Sequence, residues 1–297
     1  MGTLMAVFLP VVLAVIMFGL GLSLTAADFK RVLVFPKAIV VALVCQGLLL
    51  PAICFMLVKV FGLAPELAIG LMVLAASPGG TSANLYSHLA RGDVALNVTL
   101  TAVNSAVSIV SLPAIVNLSV ALLAASTVAI PLQFDKVVQV FSVVLVPVLL
   151  GMWIRYKAPD FARRADFPVR VASVLFLLAA LVLVALANGR NALVYLPQAG
   201  AAALAFNLIS LAIGYSVPRF LRLNHRQSIA ISMEIGIHNS ALAITICVSP
   251  LLLNNPTMAI PIVIYTFIAY ATAAIFCWLA NRGQKFLDRS LSAAGIS

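Results

Sequence analysis

The chain has 297 residues, 64% of them hydrophobic and 9% charged, with a formal net charge of +10. Its mean hydropathy is +1.17. A soluble domain carries about a quarter charged residues, so an ordinary soluble protein is excluded. Apolar runs recur from end to end without strand-like alternation, which sets aside a β-barrel and predicts an all-α polytopic membrane protein.

In chain order the runs predict about nine transmembrane helices, near 4–24, 37–61, 66–90, 93–123, 136–156, 167–187, 193–217, 226–249 and 257–281. Each can cross about 30 Å of hydrocarbon at about 1.5 Å per residue. The first run lacks the basic stretch that opens a signal peptide and is long enough to span, so it reads as a helix. Met1-Gly2 lacks the Ser or Thr at position 6 that a myristoylation signal needs.

The basic residues test this reading. Of the 18 Lys and Arg, all but Lys59, Lys136 and Arg190 fall in alternate gaps between the runs, from Lys30 and Arg31 to Arg289. By the positive-inside rule the N-terminus is outside and the C-terminus cytoplasmic, in a cell inner membrane. The charge is thereby explained by topology, with the lipid bilayer as partner and no nucleic acid. No gap holds a soluble domain, so 1–297 reads as one membrane domain. Cys45, Cys54, Cys247 and Cys277 lie inside apolar runs and read as small buried residues.

The third run carries Ser77-Pro78-Gly79-Gly80-Thr81-Ser82 at its middle. Proline removes a backbone donor and the glycines add freedom, so the helix is expected to break there. Thr81 and Ser82 resemble N-cap residues of a second half-helix. Broken backbone at membrane depth is tolerated only when buried in protein or lining a wet cavity. There its free N–H groups suit an anion and its freed carbonyls a cation.

The eighth run holds Glu234, Gly236, His238 and Asn239 within a few residues. Glu234 is the one acid of eight placed mid-span, and no Lys or Arg stands mid-span to pair with it. A charge there costs roughly 2.5–3.5 kcal/mol on insertion scales. It is therefore either protonated or paired with a cation from outside the chain. By the charge pattern the third and eighth spans cross in opposite directions, the relation that inverted repeats require. Gln46, Asn84, Asn97, Thr101 and Asn104 are further polar groups within spans, which an ion-filled cavity or interhelical hydrogen bonds would satisfy.

The stretches ASPGGTSANLYSHLARGDVALNVTLTAVNS and MEIGIHNSALA resemble the bile acid:sodium symporter family, with IMFGLGLSL and CQGLLLP in support. The resemblance covers nearly the whole chain. It implies a core domain, around 37–123 and 193–249, in which two discontinuous helices (66–90 and 226–249) cross, and a panel around 4–24 and part of 136–187. Relatives often have ten helices, and this chain begins at what resembles their second. Two sodium sites are implied. One would use Asn84, Asn97, Thr101 and Glu234. The other would use Gln46, Glu234, the carbonyls of Ile235 and Ile237, and the position of His238, where the family commonly has glutamine. Ala83 and His238 depart from the family pattern.

The resemblance and the broken helices together predict sodium-coupled symport of an organic anion, bile-acid-like or a smaller carboxylate or sulfonate. The anion is expected at the half-helix N-termini, Gly80-Thr81-Ser82 and His238-Asn239-Ser240. A proton-coupled or sodium-independent carrier on the same fold is the alternative, because a histidine titrates near neutral pH. An intramembrane hydrolase would need Glu234 and His238 on one face of an unbroken helix beside Ser232 or Ser240. No hydrolase motif accompanies them, so no enzyme is expected. Selectivity-filter patterns are absent as well, which argues against a channel.

Overall fold

The computed structural model describes residues 11, 14–15, 17–123, 134–188, 190–249 and 252–293. The predicted span 4–24 therefore lies largely outside the described residues, apart from a helical stretch over 17–23, α1. All regular structure among the described residues is helical. In order come α2 (Ala26–Lys30), α3 (Pro36–Val44), a π-turn (Cys45–Leu49), α4 (Leu50–Val60), α5 (Pro65–Ala76), α6 (Thr81–Leu89) and α7 (Val94–Leu123). Then follow α8 (Phe134–Lys157), α9 (Pro159–Asn188), α10 (Arg190–Phe220), α11 (His225–Gly236), α12 (Ser240–Val248), a short 3-10 turn (Pro256–Ala259) and α13 (Ile260–Ala293).

Among the described residues, four helical runs are both long and apolar enough to cross a bilayer: Pro36–Val60, Val94–Leu123, Val194–Phe220 and Pro256–Arg282. The expected spans 136–156 and 167–187 fall within α8 and α9. The two spans expected to be broken are broken. The first is α5 of 12 residues followed by α6 of 9. The second is α11 of 12 residues followed by α12 of 9. Neither half alone crosses about 30 Å at about 1.5 Å per residue.

The first half of each broken span sits inside protein. Every residue of α5 from Leu67 to Ala76 is buried, and so is every residue of α11 from Ser228 to Gly236. Helix α5 past its first turn is apolar all round, as a core helix is, and burial is what permits irregular backbone at the end of each half. Helix α5 packs against α4, α7, α12 and α13, and α11 against α10, α7 and α6. Small residues permit the closest approaches: a Cβ on Gly214 would stand 2.6 Å from the Ser232 Cα. Helices α1 and α8 meet the same way, because a Cβ on Gly21 would overlap the Val148 carbonyl. The four cysteines are free and buried.

One local feature was not foreseen. The helix carrying Gln46 widens into a π-turn over Cys45–Leu49, closed by the Leu50 amide donating to the Cys45 carbonyl. Pro51 has no N–H to give to residue 47, and its ring crowds that carbonyl; the wider turn relieves both.

Candidate cation and anion site

Proline and glycine end α5 as expected. Ser77 is extended at ψ 147°, and the chain runs through Pro78 and Gly79 to Gly80 at φ −85°, ψ 158°. The second break, Ile237-His238-Asn239, lies against it. The Gly80 amide donates to the Ile237 carbonyl at 2.8 Å, and the Asn239 amide donates to the Pro78 carbonyl at 2.8 Å. Gly79 and His238 thus form a one-rung antiparallel bridge. Each break supplies the partners that the other's backbone needs in hydrocarbon.

This crossing corrects one expectation about the caps. Gly80, not Thr81 or Ser82, is the N-cap of α6, with no side-chain cap bond. The extended Gly79-Gly80 pair is fixed from across the bridge, so the helix starts one residue earlier than a Thr81 hydroxyl cap would set it. Thr81 is exposed, and the Ser82 Oγ lies 3.2 Å from the Tyr270 hydroxyl. At the other break Asn239 caps α12, its Oδ1 accepting from the Leu242 amide at 3.1 Å. Ser240, at the first position of α12, is 7% exposed.

Glu234 is fully buried beside the bridge. The Thr101 hydroxyl donates to its Oε2 at 2.6 Å, and the Asn104 Nδ2 donates to its Oε1 at 3.0 Å. Among the described residues the ion pairs are Arg31–Asp28 and Arg163–Asp160, so no basic side chain pairs with Glu234. Asn97, one turn before Thr101, gives its Nδ2 to the Ala230 carbonyl at 2.7 Å. Its Oδ1 is buried without a partner, as is the Oδ1 of Asn84. Asn84 belongs to α6, which packs on both α7 and α11. Two amide oxygens without partners, on α6 and α7, and a carboxylate without a counter-charge, on α11, are the kind of oxygen donors that suit a hard cation such as sodium. The first predicted set fits an ion on this ground.

The second set is arranged differently. The Gln46 Nε2 donates to the Ser77 carbonyl at 2.7 Å and lies 3.3 Å from the His238 Nδ1. That Nδ1 is also 3.3 Å from the Ser77 carbonyl. The imidazole stacks on Phe206 (centroids 5.5 Å apart, planes at 10°) and tilts against Tyr265 at 5.5 Å. His238 is 3% exposed. Glu234 and His238 do not share a helix face, because α11 ends at Gly236, and Ser232 donates to the Leu211 carbonyl at 2.8 Å.

Sequence reasoning missed three anchors. The Asn207 Nδ2 and the Tyr265 hydroxyl both donate to the Gly236 carbonyl, at 3.0 and 2.9 Å. They take up the last carbonyl of α11, whose acceptor the break leaves free. Asn104, noted only as a mid-span polar residue, holds the carboxylate. An Asn or Tyr inside an apolar run was the only available signal, and that signal is common in membrane helices.

Comparison with known proteins agrees with this geometry. A family model described as the sodium bile acid symporter family matches residues 10–194. The chain is 29% identical over 255 residues to a probable chloroplastic sodium/metabolite cotransporter of Arabidopsis thaliana, covering 84% of this chain and 60% of the relative. It is 25% identical over 263 residues to an uncharacterized sodium-dependent transporter of Bacillus subtilis, covering 87% of this chain and 78% of that one. It is 24% identical over 281 residues to the ileal sodium/bile acid cotransporter of Oryctolagus cuniculus, covering 93% of this chain and 79% of the relative. These relatives carry the names of transporters and cotransporters, not of enzymes. With two broken helices crossing at a buried carboxylate, and a family model matching well over half its length, the chain belongs to the sodium bile acid symporter family.

Proposed function

We propose that the protein is a sodium-coupled symporter of an organic anion in a cell inner membrane, with its N-terminus outside and C-terminus cytoplasmic. The observation that carries the reading is Glu234: buried and without a basic partner, on a helix packed against the two helices that carry the unpartnered amide oxygens of Asn84 and Asn97. Sodium supplies the positive charge that this site lacks. Asn84, Asn97, Thr101 and Glu234 would hold it. Thr101 and Asn104 keep the carboxylate hydrogen-bonded and oriented.

The anion would meet the half-helix N-termini at Gly80-Thr81-Ser82 and Asn239-Ser240, where the helix dipole favours negative charge. The substrate class is an amphipathic or small carboxylate or sulfonate. Alternating access would follow from movement of a core, the two broken helices with α3, α4, α7, α10 and α13, against a panel of α1, α8 and α9. Coupling arises because a site without sodium leaves an uncompensated buried charge beside the anion site.

The experiment is thermal unfolding of the purified protein in sodium against potassium or choline, at fixed ionic strength and several pH values. An ion at 100 times its dissociation constant stabilises by about 2.7 kcal/mol. A sodium-specific rise in Tm that Glu234→Ala abolishes supports the reading. Stability that follows pH with no sodium effect would replace it with the proton-coupled carrier.

A further inference from the structure

The second sodium site that the resemblance implies does not fit the residues meant to build it. It needs oxygens from Gln46, Glu234, Ile235 and Ile237. Gln46 instead turns its amide nitrogen toward the break, 2.7 Å from the Ser77 carbonyl and 3.3 Å from the His238 Nδ1. The Ile237 carbonyl accepts the Gly80 amide at 2.8 Å. The Glu234 carboxylate is the one that the first site uses as well.

His238 offers no oxygen, and its ring is held in a slot between Phe206 and Tyr265. With the proton on Nδ1, the ring donates to the Ser77 carbonyl. With the proton on Nε2, Nδ1 accepts from Gln46. Either tautomer leaves N–H donors of Gln46 facing the place where a cation would want oxygens. The Gln46 Oε1 has no partner, but a hard cation gathers on the order of six oxygens. The first site holds two such unpartnered amide oxygens, those of Asn84 and Asn97, where the second holds one.

We propose that this carrier binds a single sodium ion, and that the Gln46–Ser77–His238 hydrogen-bond cluster stands in for a second. The inference rests on the sodium-coupled reading and deepens it. The cluster ties the π-turn between α3 and α4 to both breaks through neutral hydrogen bonds, where a second ion would tie them through charge. With a monovalent anion, one full cycle then moves no net charge across the membrane.

The test is equilibrium binding of radioactive sodium to the purified full chain, counted per protein, with Glu234→Ala as the control for the first site. One saturable ion per chain supports the inference, and two overturn it. No saturable sodium at all overturns the sodium-coupled reading instead, so the two failures are distinguishable. A second readout is the rise of Tm with sodium concentration: its limiting slope against log concentration should match one linked ion, and a doubled slope overturns the proposal. His238→Gln returns an amide oxygen to the slot and should raise the count to two. A folded His238→Gln protein that still binds one ion would overturn the part assigned to His238.

Discussion

Gly79 lies directly against the carboxylate of Glu234: a Cβ built on the glycine would stand 2.6 Å from Oε2. The close approach lets backbone cover the buried acid, which Thr101 and Asn104 hold from α7. Gly79→Ala should therefore lower stability by about 1–3 kcal/mol, the usual scale of overpacking, and should also abolish sodium-dependent stabilisation. Gly47 is the control. A Cβ there meets nothing within 4 Å, so Gly47→Ala should change stability by no more than about 0.5 kcal/mol. Melting temperatures in detergent, with and without sodium, check both.

Glu234→Gln keeps the volume of the side chain and removes its charge. One of the two carboxylate positions becomes an NH2, which cannot accept from Thr101 or Asn104. The sodium-specific rise in Tm should vanish while the protein stays folded. Thr101→Val should lower stability in potassium by about 1–3 kcal/mol, because it leaves a buried charged oxygen without its donor.

Asn207 and Tyr265 clamp the same carbonyl, that of Gly236, and the Asn207 Nδ2 also lies 3.1 Å from the Tyr265 hydroxyl. Tyr265→Phe should cost about 0.5–1.5 kcal/mol, the net worth of one hydrogen bond. Asn207→Leu should cost more, since the Thr272 hydroxyl also donates to the Asn207 Oδ1 at 2.5 Å. Because the two residues touch, the double variant should deviate from additivity by at least about 0.5 kcal/mol. Chemical or thermal unfolding of the three variants measures that coupling.

At the basic end of α11, just before the predicted span 226–249, His225 faces the Tyr215 hydroxyl at 2.9 Å. Partial burial, and then the charge of Arg219, hold its imidazole below the ordinary histidine range. The folded state thus binds the proton less readily than the unfolded chain does. Stability is unaffected well above pH 6.5 and should fall as pH drops below about 6.5, the unfolded value. His225→Gln should flatten that part of the Tm–pH curve.

Part of this site was legible in the sequence because its residues are conspicuous locally. Pro78 and the two glycines after it break a helix by their own covalent nature, and Glu234 is the one acid placed mid-span. Other parts have no local signature. Ser77, Asn207 and Tyr265 acquire their roles from partners 161, 29 and 29 residues away. The N-cap moved from Thr81 to Gly80 because a bridge to the other half fixes that backbone, which α6 alone does not encode. The π-turn at Gln46 answers a proline four residues beyond Gly47, a rule for kinks that does not specify a widened turn.

The reciprocal bridge between Gly80–Ile237 and Asn239–Pro78 also constrains the order in which the protein can be made. The first break is synthesised more than 150 residues before the segment that completes it. Until Ile237 and Asn239 arrive, the Gly80 amide and Pro78 carbonyl lack their final partners, at a depth where water is scarce. The nascent first half must therefore wait, loosely inserted or held by the insertion machinery, for its counterpart to emerge. Truncation within α10 should leave α5 and α6 unlocked and protease-sensitive, while a chain reaching α12 should not.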